Sequence, residues 1–178
     1  MKKDQKNSDM SNHILYINVK HPEWKKHLPD FEDISGAALD KTFNHLNSKL
    51  DLLNTDKPFV ITLTLVDDPH IRQLNKDYRN LDKPTNVLSF AMIDDENFEQ
   101  NSAIFDEIEL GDIIISLDTL QKEAKEKNIS LSDHYSHLFV HGILHLLGYD
   151  HIDDTDADQM ENIEINILKE LKINNPYE

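Results

Sequence analysis

The sequence predicts an α+β fold, a sheet of four strands with helices packed mainly on one of its faces, and three observations carry that expectation. Four short segments have the β-branched or alternating composition of strands, helical periodicity fills the stretches between and after them, and the last third of the chain is helical throughout. "HILYINV", His13–Val19, opens the sheet, and "PFVITLTLVDD", Pro58–Asp68, supplies a second strand that stops at a turn-prone Asp-Asp-Pro. Between them the apolar spacing predicts a helix over about residues 35–54. "HIRQLNKDYRN" after Pro69 predicts the next helix, and "NVLSFAM" (Asn86–Met92) and "LGDIIIS" (Leu110–Ser116) the remaining strands. The acidic, Asn-rich connection over 94–109 predicts a long exposed loop. Three further helices are expected at roughly 117–128, 131–147 and 155–172.

The length of 178 residues suits one domain, expected over 13–178 after a polar N-terminal tail at 1–12. The chain has no cysteine, which removes disulfides, thiolate nucleophiles and Cys-ligated zinc or iron–sulfur sites, so any metal must use His, Asp or Glu. The first twelve residues lack the apolar run of a signal peptide and no stretch is long and apolar enough to span a bilayer, so a cytoplasmic protein with no membrane partner is expected. A formal net charge of −16 argues against loose binding to nucleic acid, whose affinity comes mainly from neutralising phosphates.

"HLFVHGILHLLGYDHID", His137–Asp153, sets four histidines among leucines and isoleucines. Residues four apart share a helix face, so His141 and His145 can present two imidazoles to one ion. Were the helix to continue, ten residues at about 1.5 Å each would carry His151 some 15 Å beyond His141. The chain must turn back, and Gly148 stands where a left-handed helix end is needed. The spacing H-x3-H-x2-G-x2-H therefore predicts a metal site on a C-terminal helix and its following turn, with His141, His145 and His151 as ligands. Zinc is the first expectation, and nickel, iron and copper also accept imidazole. The same spacing occurs in metzincin peptidases, but the position of their catalytic glutamate is Gly142 here. A glutamate placed there is expected to be accepted by the fold without conferring peptidase activity. His134 and His137 read first as structural, with support of the ion site as the alternative for His137. The acidic run from Asp150 fails as a calcium loop, because counting from Asp154 puts Gln159 at the EF-hand glycine position and Ile165 at the terminal glutamate. Its simpler role is to cap the last helix.

Sixteen lysines accompany only two arginines, Arg72 and Arg79, both in "HIRQLNKDYRNLDKPTNVLSF". A guanidinium there can clamp a phosphate or pair with Asp77 or Asp82. With "LNKDYRNLDKPTNVLSF" (Leu74–Phe90), "LGDIIIS" (Leu110–Ser116) and "HGILHLLGYDH" (His141–His151) in the family's order, the chain resembles the YbeY endoribonucleases, the rRNA maturation factors, over roughly residues 58–172. The resemblance implies a mixed four-stranded sheet and zinc on His141, His145 and His151. It also implies Arg79 as a catalytic residue beside the metal-bearing His141, and hydrolysis of single-stranded RNA in maturation of the 16S rRNA 3′ end and in ribosome quality control. The implied partners are precursor rRNA in the small subunit and ribosome-associated proteins, and not DNA.

Such a site would cleave a phosphodiester either by water attack or by activating the ribose 2′-hydroxyl, with Arg79 stabilising charge on the phosphate. At −16 the chain should bind free RNA weakly, so a ribosomal partner is expected to deliver the substrate. Two other classes stand beside this reading. One is a peptidase with a substitute base. The other is a non-catalytic metalloprotein that scaffolds ribosome assembly, with Asp150 or Asp153 closing the ion's shell as a fourth ligand.

Overall fold

The β-branched runs pair into one sheet in the computed structural model, which describes residues 12–47 and 49–178. The polar stretch 1–12 lies outside the described residues except for Asn12, whose carbonyl accepts from the Phe59 amide. Strand β1 (His13–Val19) runs parallel to β2 (Phe59–Val66), β2 parallel to β4 (Ile108–Ser116), and β3 (Val87–Ala91) antiparallel to β4. The order β1-β2-β4-β3 makes the sheet mixed.

Sheet parity decides where each side chain goes. Val60 pairs with Glu109 but Ile61 pairs with Gly111, so Leu110 is an extra residue in β4. The bulge switches parity, and Ile108, Leu110, Ile113 and Ile115 all face one core with Ile61, Leu63 and Leu65. Gly111 makes this possible: its φ is +129°, and a Cβ would run into the Phe90 carbonyl. Helices α2 (Phe31–Leu46), α6 (Leu131–Leu146) and α7 (Asp154–Glu170) contribute to that core. On the opposite face Val66, Leu88 and Ile114 meet Ile71 of α3 (Asp68–Arg79), a much smaller cluster.

Three expectations change. The helix expected at 35–54 is α2 over Phe31–Leu46, followed by a separate 3-10 turn at Asp51–Leu53. Leu50, Leu52 and Leu53 extend the apolar spacing beyond the true helix end and pack on the same core, which is why periodicity overran it. A short helix α1 (Glu23–His27) precedes α2 and carries Trp24, fully buried, whose indole N–H donates to the Val66 carbonyl at 2.9 Å. The 94–109 connection is no plain loop, since it contains α4 (Phe98–Ile104) with Phe98 buried. The stabilising contact there is non-local: the Lys57 ammonium donates to the carbonyls of Ser102, Ala103 and Phe105, at the C-terminal end of α4. Helix α5 (Leu117–Lys127) follows β4 directly.

Helix α6 starts at Ser130, whose hydroxyl accepts from the Asp133 amide at 3.0 Å, and ends in a reversal at Gly148 with φ +91°. The Gly148 amide bonds to the His145 carbonyl and the Tyr149 amide to that of Leu144, both at 3.0 Å, the paired bonds of a Schellman ending. Gly142 faces the sheet, where a Cβ would lie 3.0 Å from Ile113 side-chain atoms. The expectation that the fold accepts a glutamate at this position is therefore wrong: the carboxylate would enter the seam between helix and sheet.

Gly142→Ala should range from neutral to destabilising by about 2 kcal/mol, because helix propensity gains about 1 kcal/mol while overpacking against Ile113 costs about 1–3. Gly142→Glu should lower the melting temperature by well over 10 °C or prevent folding. Thermal denaturation of the two variants decides it, and a melt for Gly142→Glu within a few degrees of wild type would show the seam to be open.

Candidate metal centre

Helix periodicity and the Gly148 reversal bring His141, His145 and His151 together, with one donor nitrogen from each within 4.8 Å of the others. His141 and His145 stack one turn apart on α6, ring centroids 4.5 Å apart, and His151 returns to 5.7 and 5.1 Å from them. Nδ1–H of His145 donates to the Tyr149 carbonyl at 3.0 Å, and Nδ1–H of His141 donates to Glu164 Oε1 at 2.5 Å. Both Nε2 atoms are thereby left as lone-pair donors, and they face each other at 3.0 Å. Ligands on a tetrahedral zinc sit about 3.3 Å apart, so this donor set fits a divalent ion with little movement. Burial, with His141 and His151 adding to it, pushes the His145 imidazole below the usual histidine range, which favours the neutral, metal-binding form.

The histidines open onto a cavity of about 410 Å³ whose other walls include Arg79, Asn86, Ser89, Asp94 and Asp150. Arg79 arrives from the C-terminal end of α3, where Asn80 takes the left-handed conformation at φ 58° and ends the helix. Among the described residues no carboxylate lies within 4.0 Å of its guanidinium. Arg72 instead takes the ion-pair role, Nε to Asp82 at 2.9 Å, with Lys76 on the same carboxylate at 3.6 Å. Of the two roles considered for the arginines, Arg72 takes the ion pair, and Arg79 lines the histidine cavity. Asn86 is fixed from behind: its Oδ1 accepts from the Val87 amide and its Nδ2 donates to Glu123, which His134 also contacts at 2.7 Å.

Asp150 and Asp153 do not complete the ion's shell. Neither joins the three imidazoles in the set of mutually close donors, and Asp153 accepts from the Asp156 amide as the cap of α7. The acidic run after His151 therefore caps the last helix, as its composition suggested.

Sequence reasoning missed Glu164. It sits fully buried on α7, in the stripe of Met160, Ile167 and Leu168, and a carboxylate interrupting that apolar spacing was the available signal. It accepts from His141, from His137 Nε2 at 3.3 Å and from the hydroxyl of Tyr177 near the C-terminus. Burial would push its carboxyl up, but the hydrogen bonds from His137 and His141 outweigh it and bring the pKa down to about 2. Burial and the Glu164 charge together push the Tyr177 phenol up, so it stays a donor. His137 is therefore part of the support behind His141, the alternative considered for it.

An α+β sheet protein with three convergent imidazoles, a carboxylate orienting one of them and, among the described residues, an arginine without a carboxylate partner across the cavity has the donor set of a histidine metal site. The sequence model of one family, described as Endoribonuclease YbeY, matches residues 26–172, and the chain belongs to that family. The Endoribonuclease YbeY of Francisella philomiragia is 48% identical over 120 residues, 66% of this chain and 72% of that one. The protein of the same name from Francisella tularensis subsp. novicida is 49% identical over 120 residues, 66% and 70% of the two chains. In fold the chain is similar to the solution structure of TM1509 from Thermotoga maritima, with TM-score 0.58 and 21% identity over 89% of each chain.

Glu164→Gln keeps the volume and removes the charge. Zinc affinity should fall about 10–100-fold, read by competition with a chromophoric chelator, because His141 loses its orienting anion. The folded pKa near 2 lies below the ordinary 4.5, so the carboxylate's stabilisation is complete above pH 4.5 and disappears as pH falls towards 2. The stability gap between wild type and variant, of order 3 kcal/mol at neutral pH, should close across that window in urea titrations. A gap independent of pH would refute the assignment.

Proposed function

We propose that this chain is a zinc-dependent, single-strand-specific endoribonuclease that matures the 3′ end of 16S rRNA and serves ribosome quality control. It would act in the cytoplasm on precursor rRNA of the small subunit, as a single domain over 13–178. The observation that carries the reading is the meeting of His141, His145 and His151 in a cavity that Arg79 also lines, in a chain of the YbeY family. RNA is the substrate class that the names of the Francisella relatives support. Among the described residues no helix is long and apolar enough to cross a membrane.

His141, His145 and His151 are the ligands in this reading, and zinc is preferred because three imidazoles with an open fourth position match a common catalytic zinc shell. When bound, the ion would supply Lewis acidity and lower the pKa of a coordinated water to about 7. Arg79 donates to the non-bridging oxygens of the scissile phosphate as their charge grows. Asn86, its amide already oriented by the Val87 amide, offers a polar contact to the nucleotide beside it. Glu164 holds the His141 ring in place, so His141 serves catalysis through its fixed position.

The scaffold alternative would need a fourth ligand, and neither Asp150 nor Asp153 joins the three imidazoles; the peptidase alternative would still need its substitute base, since position 142 is packed against Ile113. Arg79→Ala should keep its melting temperature and its metal and lose cleavage of single-stranded RNA by about 10²-fold or more. His145→Ala should lose the metal as well. Elemental analysis beside a cleavage assay reads both, and full activity of Arg79→Ala at saturating RNA would refute the arginine's role. The product ends then divide the chemistry: a 2′,3′-cyclic phosphate reports attack by the ribose hydroxyl, and a 5′-phosphate with a 3′-hydroxyl reports attack by water.

A further inference from the structure

A second and larger recess, about 590 Å³, opens on the other side of the Met92–Asp94 turn, lined by Pro58, Met92, Phe98, Ser102, Phe105 and Glu107. Two neighbouring apolar side chains stand at or beside its mouth, Ile104 at 65% exposure and Phe105 at 58%. Such a pair on an otherwise acidic surface has no role in the core, because the buried anchor of this segment is Phe98. The segment is not a fraying end either, since Lys57 holds three of its carbonyls.

Charge says what can cover this face. Between Lys83 and Lys122 the chain has no lysine or arginine, whereas Asp94, Asp95, Glu96, Glu99, Asp106 and Glu107 fall on or beside α4. Among the described residues none of these six carboxylates lies within 4.0 Å of a cationic side chain. A polyanion is repelled here, which removes RNA as the occupant. A second copy of the chain, docked through the same face, would set these carboxylates against themselves. The complementary occupant is cationic with an apolar anchor.

We propose that the recess beside α4 is a docking site for a lysine- and arginine-rich polypeptide segment of a partner protein. One apolar side chain of the partner sits against Phe98 and Phe105, and the flanking cations meet the acidic rim. The site is coupled to the histidine cavity by position: Met92 lines this recess and Asp94, two residues on, lines the cavity. A partner that is itself bound to RNA would carry that RNA to the cavity mouth, which offsets the weak affinity of so acidic a chain for free RNA. The inference deepens the ribosomal reading above and rests on it only for the source of the partner.

The test uses the full chain and a fluorescent synthetic peptide of lysines and arginines around a central phenylalanine, beside the same peptide with glycine at its centre. Anisotropy titrations at about 0.1 M salt should show binding of the first peptide. Affinity should fall about tenfold or more for the glycine peptide, for the double variant Ile104→Ser with Phe105→Ser, and for Glu107→Lys. All three side chains lie outside the histidine cavity, so cleavage of a short single-stranded RNA should be unchanged and reports that the variants are folded. Absence of peptide binding, equal binding of the glycine peptide, or equal binding by the double variant overturns the proposal. Wild-type dimers in sedimentation that the double variant abolishes would overturn it too, by giving the face to a second copy. Rates on precursor small subunits and on deproteinised precursor RNA form the second arm, in which the double variant should lose the wild type's preference for particles, and retention of that preference counts against the site. If the wild type itself shows no such preference, the ribosomal reading fails while the peptide titrations still decide the docking site.

Discussion

The buried carboxylate of Glu164 is the constraint on which the rest of the site depends. An anion out of contact with water is tolerated only if donors surround it, since an unpaired one costs several kcal/mol. Here three donors come from two places: His137 and His141 on α6, and Tyr177 near the C-terminus. The requirement fixes the rotation of α6 against α7 and brings the end of the chain back over both helices. It also fixes a tautomer. Once the Nδ1–H of His141 donates its hydrogen bond to Glu164, the Nε2 lone pair is turned toward His145 and His151, and the site's donor geometry follows from the packing of two helices.

That arrangement needs α6 at the right height above the sheet, and two glycines set it. Gly111 allows the bulge in β4 that turns four isoleucines and leucines toward one core, and Gly142 lets α6 settle on Ile113 without a side chain between them. The adjoining face of the helix, about 60–100° round from Gly142, then carries His141 and His145 into the cavity. The glycine that removes the metzincin-like base is thus explained by packing, and the loss of that base follows from the seam.

Much of this was legible in the sequence because the physics was local. Four strands, the helix before His151 and its reversal at Gly148 were all set by periodicity or by a single backbone requirement, and the imidazole triad follows from helix geometry plus that turn. Non-local causes were not legible. Helix α4 depends on Lys57, more than forty residues away, to satisfy its last carbonyls, so its own composition reads as loop. The overrun of α2 came from leucines that serve the same core through a 3-10 turn. Glu164 was visible only as an exception, one charge on an apolar stripe, and its meaning required knowing which ring it faces.

Charge completes the argument about how so acidic a chain could act on RNA. The cavity wall carries Asp94 and Asp150 against one guanidinium, so without an ion the site itself is unfriendly to phosphate. A divalent ion on the three imidazoles would reverse the local sign within a volume small compared with the Debye length of about 8–10 Å, while the remaining surface stays anionic. Attraction of the polymer is then confined to a few phosphates, and the long backbone on either side is repelled. Single strands suffer less from this than duplexes, because a flexible strand can present one phosphate and swing its neighbours away, whereas a duplex brings two rigid rows of charge. The proposed preference for single-stranded RNA and the proposed dependence on a cationic partner would then be two consequences of one charge distribution: a small positive focus set in a negative field.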